Sequence, residues 1–118
     1  MKHQIALVGG QLLPIYVGIK EFSPDKIHFI VSKESIESLN NLKPMITGIS
    51  HSEYRCNAFN FYEIKTVCEK IIQKLNPEDT ITFNLTGGTK IKKLENSFIF
   101  QLYCYSVDFT CGLDFLFR

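Results

Sequence analysis

Residues Thr80-Ile81-Thr82-Phe83 read as a short strand and run directly into Asn84-Leu85-Thr86-Gly87-Gly88-Thr89-Lys90. From there on, Ile91, Leu94, Phe98 and Leu102 fall at helical spacing. Strand, double-glycine turn and helix in direct succession make half of a βαβ unit, so this joint points the chain toward an α/β architecture. It also gathers bare backbone N–H groups, two hydroxyls and an ammonium at a helix start, a combination suited to a phosphate. The plainer reading is that Gly87-Gly88 makes a tight turn and holds nothing.

The rest of the chain repeats the alternation. Gln4-Ile5-Ala6-Leu7-Val8 reads as a buried first strand ending in Gly9-Gly10. Pro14 suits the first turn of a helix that runs to about Phe22, where Ser23-Pro24-Asp25 ends it. Ile27-His28-Phe29-Ile30-Val31 is a second strand, and Ser32 caps a helix from Glu34 to about Leu42 that Pro44 stops. The stretch Met45 to Ser52 reads either as a strand or as an irregular turn, and Glu53 to Phe59 is the expected third strand. Asn60 and Glu63 form a capping-box pair ahead of Ile64, Val67, Cys68, Ile71, Ile72 and Leu75, one buried helical stripe. The fourth strand spans Thr80 to Leu85. Ser106-Val107-Asp108-Phe109 and Leu113-Asp114-Phe115-Leu116-Phe117 read as a closing hairpin around Cys111-Gly112. The order β-α-β-α-β-α-β-α-β-β predicts a single Rossmann-like domain over 1–118. Its sheet is mostly parallel, with helices on both faces and an antiparallel C-terminal hairpin.

Composition narrows the function. A net charge of +1, from 13 Lys+Arg against 12 Asp+Glu, argues against a nonspecific binder of long nucleic acid but leaves room for a small anion in a local pocket. Cys56, Cys68, Cys104 and Cys111 include no C-x-x-C and no zinc-finger spacing, so they read as reduced thiols of a cytoplasmic protein, with no metal site expected. No signal peptide is apparent, and no run approaches the roughly 20 apolar residues of a membrane span.

In an open doubly wound sheet, ligands bind beyond the carboxyl ends of the strands where the strand order reverses. In the usual order the first and fourth strands meet there, which would bring the chain's two double glycines, Gly9-Gly10 and Gly87-Gly88, to one crevice. Neither is a nucleotide fingerprint. Thr86-Gly87-Gly88-Thr89-Lys90 lacks the spacing of a P-loop, and Gly9-Gly10-Gln11 is not G-x-G-x-x-G. Nucleotide hydrolases and dinucleotide enzymes are therefore disfavoured.

With a glycine loop after the first strand and Asn84-Leu85-Thr86-Gly87-Gly88-Thr89-Lys90 after the fourth, the chain resembles the CARF domain, the CRISPR-associated Rossmann fold. The likeness covers essentially the whole chain, but only the Thr-Gly-Gly-Thr-Lys segment is specific. CARF domains of type III CRISPR systems form two-fold dimers that bind cyclic oligoadenylates, most often the cyclic tetra-adenylate. The resemblance implies a homodimer here, with Gly9, Gly10, Gln11, Thr86, Gly87, Gly88, Thr89 and Lys90 as ligand-binding residues. No cofactor, membrane or long nucleic acid partner is implied. Ser32 and Lys33 are candidates for a pocket wall, although a plain helix cap and a solvated lysine are the favoured account of them.

Many CARF proteins carry an effector domain. The resemblance therefore leaves several readings open: a stand-alone ring nuclease, a noncatalytic sensor or sponge, or the N-terminal part of a larger CRISPR effector. A dimerisation scaffold that binds no nucleotide is a further class. Ring opening by the ribose 2′-OH needs no metal. Lys90 would stabilise the phosphoryl charge, while Thr89 and Gln11, with Thr86, orient sugar and phosphate. No histidine lies in either loop, so turnover is expected to be slow; His3, His28 and His51 read as structural or surface residues. Lys92 and Lys93 are either solvated surface or a basic rim that steers a polyanion inward.

Overall fold

A computed structural model describes residues 1–10, 12–57, 61–84 and 112–116. Five strands, β1 (Lys2–Val8), β2 (Lys26–Val31), β3 (Ser50–Arg55), β4 (Thr80–Asn84) and β5 (Gly112–Leu116), form one sheet in the order β3-β2-β1-β4-β5. All four pairings are parallel. The described helices are α1 (Leu13–Phe22), α2 (Ile36–Leu42) and α3 (Phe61–Gln73).

Alternation along the strands divides the core into two layers. Ala6, Val8, Ile27, Phe29 and Val31 pack against Ile15 and Ile19 of α1 and Leu39 and Leu42 of α2. Ile5, Leu7, Ile30, Ile81 and Phe83 face the other way, onto Ile64, Cys68, Ile71 and Ile72 of α3. Helices thus cover both faces, as the element order requires of parallel strands that are apolar on both sides.

The expected strands β1, β2 and β4 are present, with β1 and β2 starting two and one residues earlier and β4 ending at Asn84. The third strand needs correction: it occupies Ser50–Arg55, not Glu53 to Phe59. As an edge strand it contributes little apolar surface, so its polar start, Ser50-His51-Ser52, carries no hydrophobic signal. The parallel register Lys26↔Ser50 through Val31↔Arg55 fixes its span. Pro44 does not stop the helical path either. It sits in the first turn of a 3-10 helix, Lys43–Ile46, where no N–H is needed, and the chain then turns at Gly48, whose φ of 91° suits glycine.

Gly112 opens β5 instead of sitting in a turn, and β5 runs parallel to β4. The other arm of the expected hairpin, 106–109, lies outside the described residues, as do the Asn60 half of the capping box and the helix expected from Ile91.

Candidate functional site at the carboxyl edge of the sheet

β1 pairs with β2 on one side and with β4 on the other, so the strand order reverses at β1. Ala6 stands opposite Asn84 and Val8 opposite Val31. The chain therefore leaves the sheet at Gly9, Asn84 and Ser32 along one edge, and Gly9-Gly10 emerges beside the end of β4. This is the juxtaposition that strand order alone makes of two segments 75 residues apart in the chain, counted from Gly9 to Asn84.

Gly9 is half-buried and Gly10 exposed. A Cβ built on Gly10 would meet no described atom within 4 Å, and its φ lies outside the left-handed region. Among the described residues, neither crowding nor a left-handed φ calls for glycine there. A bare Cα leaves the peptide open to close approach from outside. α1 begins just beyond, with Leu12 at its N-cap and no side chain capping it. Of the other expected site residues, Gln11, Thr86, Gly87, Gly88, Thr89 and Lys90 lie outside the described residues, as do Lys92 and Lys93.

Ser32 takes the plain role. Its N–H donates to Ser35 Oγ at 2.9 Å, the two hydroxyls lie 3.0 Å apart, and both serines are buried. Lys33 is exposed.

Two buried amides, Asn84 at this edge and Gln4 deeper in β1, escape a hydropathy reading. Asn84, the last residue of β4, donates through Nδ2 to Gln4 Oε1 and to the Ile15 carbonyl, each at 3.2 Å. Gln4 Nε2 donates to the Gly18 carbonyl at 3.3 Å. A Gln and an Asn inside otherwise apolar strands were the available signal: a polar group in a parallel strand has to find a partner.

All three histidines of the chain sit in the amino halves of their strands, away from this edge. His51 is exposed on β3, its ring edge-on to Phe29. His3 and His28 are buried and stacked, with His3 Nδ1 3.0 Å from His28 Nε2. His3 Nε2 lies 3.2 Å from Asp79 Oδ2. The Asn76 N–H donates to the same carboxylate and holds Asp79 below its usual range despite burial. An ionised carboxylate only accepts, so His3 donates to Asp79 through Nε2. With one ring proton on His3, His28 Nε2 must donate to His3 Nδ1, and His28 Nδ1 is left as a buried lone pair without a partner among the described residues. Burial, with the charge His3 carries whenever it is doubly protonated and the nearby charges of Lys26 and Lys74, lowers the His28 pKa to about 4.

Cys56 and Cys68 are buried free thiols. Burial, helped by Glu63, pushes Cys56 up to about 11, and burial pushes Cys68 up as well. Such thiols are inert. Among the described residues no cluster of His, Cys, Asp or Glu is placed to hold a metal ion, and no helix is long and apolar enough to cross a membrane.

An open parallel sheet in the order 3-2-1-4-5, with a bare glycine loop at its switch point, defines a Rossmann-like ligand-binding domain. The family model described as the Card1 CARF domain matches residues 4–109, and the chain belongs to the CARF family. That membership implies cyclic oligoadenylate sensing in type III CRISPR systems. No curated protein matches the chain.

Proposed function

We propose that two copies of this chain hold one cyclic tetra-adenylate across a two-fold axis and open it as a metal-independent ring nuclease. The observation that carries the reading is the parallel β1–β4 pairing, which ends β4 at Asn84 on the same edge of the sheet as the Gly9-Gly10 loop. A ligand with four phosphates and two-fold symmetry suits an isologous dimer, each protomer meeting two phosphates. In this reading Gly9, Gly10, Gln11, Thr86, Gly87, Gly88, Thr89 and Lys90 bind the ligand. Backbone N–H groups and hydroxyls hydrogen-bond phosphate oxygens, and Lys90 supplies the charge.

In the reaction a ribose 2′-OH attacks the adjacent phosphorus. The O2′–P bond forms and the P–O5′ bond breaks. The 2′-OH proton passes to solvent, O5′ takes one from water, and a 2′,3′-cyclic phosphate end remains. Lys90 stabilises the phosphoryl oxygens, while Thr89 and Gln11 hold the sugar in line.

One observation favours a second reading. Every imidazole of the chain lies in the amino half of a strand, so none serves as general base at the carboxyl edge. A noncatalytic sensor or sponge, or the sensing part of a larger effector, fits that arrangement equally well. The deciding experiment incubates the protein with cyclic tetra-adenylate in the presence of a chelator and follows the products. Linear di-adenylate with a 2′,3′-cyclic phosphate end supports the nuclease. Ligand bound and recovered intact at stoichiometric protein over hours supports the sensor or sponge, and no binding at all removes both.

A further inference from the structure

Gln4 and Asn84 have no exposed surface, and 80 residues separate them in the chain. They lie on the face of the sheet that otherwise packs apolar side chains against α1 and α2. Their acceptors on α1, the carbonyls of Ile15 and Gly18, sit where the helix already supplies an N–H from four residues on. The amides therefore take second lone pairs, and neither carbonyl depends on them. Replacing the two amides by apolar side chains leaves both helix carbonyls in their helical hydrogen bonds. What the amides add is direction. Two hydrogen bonds to α1, joined by a third between the amides, fix where α1 lies over β1 and β4, which dispersion contacts alone do not specify. The element so fixed is the one that starts three residues after Gly10, and a residue that fixes it is the last of β4.

We propose that Gln4 and Asn84 form a buried amide clamp, a pair of positioning residues that sets the first turns of α1 against the end of β4 and so holds the carboxyl-edge crevice in its binding geometry. The identity of the ligand rests on the function proposed above; the clamp itself does not.

The test replaces both amides by apolar near-isosteres, Gln4→Met with Asn84→Leu. A purely structural pair would leave a folded double variant with wild-type affinity. The clamp predicts a variant that still folds, at least 10-fold weaker binding of cyclic tetra-adenylate by calorimetry, and faster amide hydrogen exchange in a peptide covering Leu12 to Gly18. Unchanged affinity in the folded double variant overturns the proposal, whatever the exchange shows. Should the double variant not fold, Gln4→Met alone, which keeps the Asn84–Ile15 bond, carries the same comparison with a smaller expected loss. Should the wild-type protein bind no cyclic tetra-adenylate, the proposed function fails. Exchange then decides the clamp by itself: faster exchange in α1 supports it and unchanged exchange overturns it.

Discussion

The two edges of one sheet are built on opposite plans. At the amino edge the polar groups consume one another. Asp79 takes the Asn76 N–H, faces His3, and lies 3.3 Å from the Met1 amino group. Lys2 and Asp25 bond each other twice, and the Thr80 N–H donates to the Met1 carbonyl. At the carboxyl edge Gly10 is bare and exposed, and the N-cap of α1 is Leu12, whose apolar side chain makes no capping hydrogen bond. The first plan spends hydrogen-bonding capacity on closing the strands together. The second leaves capacity facing outward, and that is what a ligand site requires. The same side-chain chemistry serves different ends depending on which way the strand runs.

The contrast breaks if changes at one edge are felt at the other. The largest expected effect on stability is at the amino edge. Asp79→Ala strips the acceptor from His3 and from the Asn76 N–H and should cost about 2–4 kcal/mol in denaturant unfolding, while ligand affinity of the folded protein stays within twofold. Lys90→Ala should do the reverse. Losing a charge-assisted contact of about 1.5–3 kcal/mol weakens binding roughly 10- to 100-fold in calorimetry, with little change in the unfolding midpoint. Lys33→Ala, at an exposed lysine beside the crevice, is its control and should leave affinity nearly unchanged. Equal losses from the two lysine variants would mean that the wrong loop has been assigned.

Acid should act through the amino edge. The folded His28 pKa of about 4 lies below its ordinary 6.5, so the folded state binds fewer protons than the unfolded chain in between. The stabilisation is complete above pH 6.5 and is lost as pH falls toward 4, by about 1–2 kcal/mol after allowance for solvent screening. A urea midpoint series across that window should show the decline, and His28→Phe should flatten it. Asp79, held below its usual 3.8, adds a further loss in the same direction at lower pH. The smallest effect belongs to Gly10→Ala. Open space and an unstrained φ predict stability unchanged or raised by about 0.4–1 kcal/mol. If the bare Cα serves ligand approach, affinity nevertheless falls, and a variant that is more stable yet binds as well as wild type would remove Gly10 from the site.

The amino-acid pattern by itself determined the class of fold. Apolar runs of strand length alternating with stripes such as Ile64, Cys68, Ile71 and Ile72 have one economical packing, a parallel sheet covered on both faces, because each run needs apolar partners on two sides. The double glycines and Thr-Gly-Gly-Thr-Lys stand out as site candidates for a similar reason: a position that forgoes a side chain is visible as a letter. The third strand was misplaced because an edge strand is only half-buried and polar residues open it. The polar pairings were not legible at all. Gln4 with Asn84 and His3 with Asp79 stand 80 and 76 residues apart, and a polar residue inside an apolar strand signals that it needs a partner without naming it. Only the strand order brings β4 beside β1 and decides which of these groups meet. Hydrophobic burial is a property of each segment and is written along the chain; hydrogen-bond satisfaction in the interior is a property of pairs, and the tertiary structure makes the pairs.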